Sequence, residues 1–99
     1  MDLKLELRNY LDHSGRLKLY PSRKKYKLLA LMYLASRFEN GVHYTEKQVN
    51  EILDEAHTFQ DRCLLRRELF DRHFLGRTRD GSNYWLEEKQ PELADFSLD

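Results

Sequence analysis

Cysteine is nearly absent: Cys63 is the single one in 99 residues, so no disulfide can form within the chain. No apolar run approaches the roughly twenty residues a membrane-spanning helix needs, and no signal peptide is read, so the expected compartment is the cytoplasm with no membrane partner. An excess of one charge is also missing, because 17 Lys and Arg balance 17 Asp and Glu. That balance argues against a simple polycation that coats nucleic acid. Internal repeats and low-complexity stretches are lacking. So are a nucleophile elbow, a phosphate loop and a metalloprotease motif, and Asp71-Arg72-His73 reads as a charged helix end. Cys63, His13, His43, His57 and His73 offer metal-ligand chemistry without the spacing that builds a tetrahedral site. Neither an enzyme, a cofactor nor a metal is expected.

What is present is a sequence of well-marked local elements. The length suits one domain, expected over residues 1–86, with an acidic and flexible tail over 87–99 that only Leu93, Phe96 and Leu98 could dock. Charge is unevenly spread: seven bases and no acid lie between Arg16 and Arg37, whereas acids dominate after Arg79. Leu3, Leu7, Tyr10 and Leu11 fit a short amphipathic helix, and Leu17 to Tyr20 a brief extended segment closed by Pro21. From Ser22 to about Phe38 apolar residues occur on nearly every side of the helical wheel, the pattern of a central buried helix.

Residues 42 to 86 carry the functional expectation. Val42-His43-Tyr44 reads as a short strand that pairs with a later hairpin. Thr45-Glu46-Lys47-Gln48 has the form of a capping box, and Val49, Ile52, Leu53 and Ala56 then recur at helical spacing. Thr58-x-x-Asp61 predicts a second helix, running from Thr58 to about Arg72 after a tight corner. Asp80-Gly81 predicts a two-residue type I′ hairpin turn, in which Arg79 faces Ser82, Arg77 faces Tyr84 and Leu75 faces Leu86. Thr78 then faces Asn83, Gly76 faces Trp85, and Trp85 packs on the helices. The expected fold is α+β: a winged helix-turn-helix with an extra N-terminal helix and a C-terminal β-hairpin wing.

Three groups of side chains are candidates for contact with DNA. Arg23, Lys24, Lys25 and Lys27 put cations into the first turn of a helix, against its macrodipole, and phosphate contact would offset that cost. A solvated face, with lysine stems covering the core edge, accounts for the same residues. On the second helix of the pair, Gln60 and Arg67 lie opposite the Leu65 and Leu69 stripe, and Arg62 and Arg66 add to the cationic surface. The competing account spends these charges inside the helix, pairing Arg67 with Asp71 and Glu68 with Arg72. Arg77 and Arg79 suit minor-groove or phosphate contact, or else protect an edge strand from aggregation.

The runs Leu11-Asp12-His13-Ser14-Gly15-Arg16-Leu17-Lys18, Pro21-Ser22-Arg23-Lys24-Lys25, Tyr33-Leu34-Ala35, Tyr44-Thr45-Glu46-Lys47-Gln48-Val49-Asn50, Leu65-Arg66-Arg67-Glu68-Leu69 and Arg79-Asp80-Gly81-Ser82-Asn83-Tyr84-Trp85 resemble a small bacterial domain family of unknown function. The resemblance spans roughly residues 8 to 86 and departs from the family pattern at His73, where glycine is usual. Members of that family occur alone or at the C terminus of arsenic-repressor-type transcription regulators. The resemblance therefore implies a role in transcription, as a DNA binder or as a dimerisation or sensing domain. Two readings follow: a regulator that binds double-stranded DNA, or a protein-protein module using the mixed Phe59, Arg66 and Phe70 face to form a homodimer or join a larger transcription regulator.

Overall fold

A computed structural model describes residues 1–95 of the chain. Phe96 and Leu98, two of the residues expected to dock the tail, lie outside the described residues. Helix α2 (Lys24–Ala35) is the axis of the core: Leu28, Leu29, Leu31 and Leu34 are wholly buried around its circumference, as its all-round apolar pattern requires. It is shorter than the 22–38 expectation. Arg23 is the extended N-cap residue and provides no side-chain capping bond, while Ser36 closes the other end. Helix α1 (Leu3–Glu6) is capped by Asp2, whose carboxylate accepts from the Leu5 N–H at 3.2 Å. It ends well before Leu11, yet Leu7 is still fully buried.

Helix α3 (Glu46–Ala56) begins with both halves of the capping box. Thr45 Oγ1 accepts from the Gln48 N–H at 3.1 Å, and Gln48 Oε1 accepts from the Thr45 N–H at 2.9 Å. Val49, Leu53 and Ala56 form its buried stripe. Helix α4 (Arg62–Asp71) corrects the expected start at Thr58: the cap is Asp61, which accepts from the Leu64 N–H at 3.2 Å. The reason is long-range. The Leu17 N–H donates to Ala56 O at 2.8 Å and the Thr58 N–H donates to Leu17 O at 2.9 Å, which holds His57 extended between them. Gln60, at φ 54°, then reverses the chain into the cap.

His73 ends α4 in the left-handed conformation, at φ 69°. Its N–H donates to Phe70 O at 3.1 Å and the Phe74 N–H donates to Leu69 O at 2.9 Å, the two bonds of a Schellman motif. Phe74 and Leu69 are both fully buried, and this apolar contact holds a histidine where glycine would suffer less strain.

Strands β1 (His43–Tyr44), β2 (Leu75–Arg77) and β3 (Tyr84–Leu86) form one antiparallel sheet in the order β1-β3-β2. The hairpin register pairs Leu75 with Leu86, Gly76 with Trp85 and Arg77 with Tyr84, and β1 joins β3 through His43 with Trp85 and Tyr44 with Tyr84. The tip differs from a type I′ turn. The Gly81 N–H donates to Thr78 O at 3.0 Å, and Gly81 is at φ 74° while Asp80 is not in the positive-φ region. Asp80 instead organises the tip through its carboxylate, which accepts from Thr78 Oγ1 at 2.8 Å and from Ser82 Oγ at 2.7 Å. A four-residue turn with the acid folded over it replaces the expected Arg79 to Ser82 pair.

The two adjacent aromatics of β3 take opposite faces. Tyr84 is the buried one, whereas Trp85 lies across Gly76 on the far side, with Nε1 donating to Glu87 Oε1 at 2.6 Å. Trp85 does not pack on the helices as expected. A Cβ at position 76 would overlap both Trp85 Nε1 and Glu87 Oε1, so glycine is required by that close approach. Beyond β3, the Glu87 N–H and Gln90 Nε2 donate to Phe74 O at 3.0 and 2.9 Å, and Leu93, in a short 3-10 turn over Leu93–Asp95, packs against the core. The described residues thus make a small α+β domain of four helices and a three-stranded antiparallel sheet. No helix among them is long and apolar enough to cross a membrane.

Candidate nucleic-acid interface

Because the Schellman turn leads from α4 directly into β2, the exposed side of α4 and the hairpin become the two walls of one groove. It encloses about 480 Å³, with Arg66, Arg67 and Phe70 on the helix side and Arg77, Gly81 and Tyr84 on the hairpin side. The Arg77 guanidinium sits over the Phe70 ring, 4.5 Å from its centre, and Nη1 donates to Thr78 O and Arg79 O at 3.3 Å each. It clips hairpin to helix. Burial, first, raises the pKa of Tyr84 above its ordinary value, and its hydroxyl donates weakly to Glu46 Oε1 at 3.4 Å.

The other candidates have distinct placements. Arg66 is committed to α3: it donates to Asn50 Oδ1, its Nε stands 3.7 Å from Glu46, and only 19% of its side chain is exposed. Arg67, the next residue, is exposed. Arg79 is exposed at the tip. Among the described residues neither Arg67 nor Arg79 forms an ion pair within the chain. Arg62 pairs with Asp54 at 2.7 Å. It borders a different cavity, of about 540 Å³, shared with Arg16, His57 and Gln60. Gln60 therefore stands in the bend before α4, not on its helical face. Arg23, Lys24 and Lys25 are exposed and Lys27 half-buried at the start of α2, none of them lining the groove between α4 and the hairpin. Of the proposed internal pairs, Glu68 and Arg72 meet at 4.0 Å.

Three carboxylates share the groove with the arginines: Glu46, Asp71 and Asp80. Asp80 is ionised over a wide range, since bonds from the Ser82 hydroxyl first, then the Ser82 N–H and the Thr78 hydroxyl, lower its pKa from 3.8 to about 2. His57 has a structural role that the sequence did not announce. Its Nε2 accepts from the Asp61 N–H at 2.9 Å, so Nδ1 carries the proton and donates to Leu53 O at 2.6 Å. Buried to 3% exposure and edge-on to Phe59 at 4.7 Å, it couples the end of α3 to the cap of α4. The spacing Leu53, His57, Asp61 is the signal that could have found it. Among the described residues, no three or more His, Cys, Asp or Glu side chains gather as a metal site would need.

A family model described as an uncharacterized protein conserved in bacteria (DUF2087) matches residues 16–86. The chain belongs to this family. Within DUF2087 the matched span runs from the Leu17 bridge through α2, the sheet, α3 and α4 to the last residue of β3. Both walls of the groove therefore fall inside the family region, and α1 and the segment after Leu86 fall outside it. No curated protein and no solved structure matches the chain.

Proposed function

We propose that this domain is a winged helix-turn-helix and contacts duplex DNA, with α4 as the recognition helix, the hairpin as the wing, and a role in transcription regulation. The order α2, β1, α3, α4, β2, β3, with β1 added to the hairpin sheet, supports the fold. One observation carries the functional reading. Arg67 on α4 and Arg79 on the hairpin are exposed, without an ion pair among the described residues, and Arg77 is clipped between the two elements that bear them. In this reading Arg67 reaches base edges or phosphates from the helix, Arg79 reaches the backbone from the wing, and Arg77, which sets the angle between them, adds a third phosphate contact. Arg66 and Arg62 position α4 against α3 and do not meet the duplex.

The presence of Glu46, Asp71 and Asp80 in the same groove favours a second reading, in which the groove takes a partner protein of mixed charge within a larger transcription regulator. Fluorescence anisotropy with generic duplex DNA at low salt separates the two. DNA binding predicts a salt-sensitive rise in anisotropy that Arg67→Ala weakens. No rise at micromolar protein and low salt overturns the DNA reading.

A further inference from the structure

The outer face of the sheet carries a second groove, of about 610 Å³, on the side of β3 away from the buried Tyr84. Its floor is the Trp85 indole, held by Gly76 beneath it and by the bond from Nε1 to Glu87 Oε1. The His43 ring stands 5.7 Å from the indole and shares a 2.7 Å hydrogen bond with the Asn83 amide. Glu87 and Glu88 close the rim, and Gly41 leaves one side open, with nothing within 4 Å of where a Cβ would be. An aromatic surface beside two carboxylates suits a guanidinium or ammonium group, which gains from both the ring face and the charge.

A group of that chemistry is displayed elsewhere on the same chain. Arg23, Lys24 and Lys25 are exposed at the start of α2, where no acid occupies the first turn and no side chain caps the helix. Each cation there opposes the helix dipole, a local cost that a partner carboxylate would offset. Among the described residues neither this run nor Glu87 and Glu88 form an ion pair within the chain. With 17 charges of each sign, two copies meet no net repulsion.

We propose that the outer groove receives the basic run of a second copy, with Arg23 to Lys25 of one protomer set against Trp85, Glu87 and Glu88 of its partner. None of these residues is among the three arginines assigned to the duplex, so association of the chain in the absence of DNA tests this contact apart from DNA binding. Sedimentation velocity on the whole chain tests it. The sedimentation coefficient should rise with concentration at low salt, and the association constant should fall at least about tenfold between about 50 and about 500 mM salt as the paired charges are screened. Glu88→Lys, which leaves the bond between Trp85 and Glu87 intact, should yield a monomer. So should the double variant Arg23→Glu, Lys25→Glu. An equimolar mixture of the two variants should associate again, because each retains the wild-type half of the contact that the other lacks. A wild-type chain that stays monomeric throughout, whether or not its groove takes some other basic peptide, overturns the proposal. So does association that salt or either charge reversal leaves unchanged, or a mixture that remains monomeric.

Discussion

Arg66 and Arg67 are neighbours in sequence with opposite assignments, and exchanging each for alanine separates the roles. Arg66 is mostly buried and bonded to Asn50, with Glu46 beside it, so truncation leaves an acceptor on α3 unpaired. Its loss should cost about 1.5–3 kcal/mol of stability, the range for a hydrogen bond to a charged group. Arg67 touches solvent, so Arg67→Ala should leave stability within about 0.5 kcal/mol of wild type. Duplex binding should show the reverse. If Arg67, Arg77 and Arg79 each neutralise one phosphate, the logarithm of the binding constant falls with log salt at a slope of about −2.7, and affinity drops about 40-fold between about 50 and 200 mM. Should Arg23, Lys24, Lys25 and Lys27 also lie on the duplex, seven contacts give a slope of about −6.3 and a drop of about 6,000-fold over the same range. Arg67→Ala removes one contact and should shallow the slope by about 0.9. Anisotropy titrations at four or more salt concentrations, paired with urea denaturation of each variant, measure both quantities. A slope near zero refutes phosphate contact altogether. A slope near the seven-contact value refutes the confinement of the interface to α4 and the hairpin.

Three further outcomes follow from the local geometry. Gly76→Ala drives a Cβ into Trp85 and Glu87, so it should destabilise the fold by about 1–3 kcal/mol; an unshifted emission maximum of the lone tryptophan would show that the indole does not lie on Gly76. His73→Gly relieves a left-handed residue at the end of α4 and should stabilise by about 1 kcal/mol in thermal or chemical denaturation, whereas a loss would mean the histidine side chain does more than end the helix. Asp80 has its carboxyl lowered from 3.8 to about 2, so the tip is fully stabilised above the ordinary value and loses that support as pH falls through about 2. Carbon-detected NMR titration of its carboxyl should find that low midpoint, and an ordinary aspartate midpoint would dissolve the account of the turn.

What could be read in the sequence was what neighbouring residues decide among themselves. The capping box at Thr45 and Gln48 involves residues three apart, and the pairing of Leu75 with Leu86 follows once a turn is placed at Gly81; both are present. The start of α4 was a choice between two good caps, Thr58 and Asp61, and the deciding bond comes from Leu17, about forty residues earlier. Alternation along β3 said that Tyr84 and Trp85 must face opposite ways without saying which goes inward. Gly76 holds that answer, since a glycine opposite a tryptophan leaves space for an indole to lie flat.

The same distinction governs the charges, and with them the function. Helical spacing assigns Arg62, Arg66 and Arg67 to one cationic surface, but whether each is free depends on what α3 presents across the corner. Asp54 takes Arg62, and Asn50 with Glu46 takes Arg66. Arg67 is the one with no such partner among the described residues. A neutral chain can still offer a cationic contact if its acids are spent on some bases and spare others, and sparing is a tertiary property. The count of arginines on α4 therefore overstates the charge available to a duplex, and the proposed interface has to be judged on Arg67, Arg77 and Arg79, against the three carboxylates that share their groove. An interface of that size binds weakly without a second attachment, because three phosphate contacts give little more than non-specific affinity. Pairing of two copies through the outer groove would supply that attachment only if it presents both α4 helices to one duplex, about 34 Å apart, as two-fold DNA sites demand.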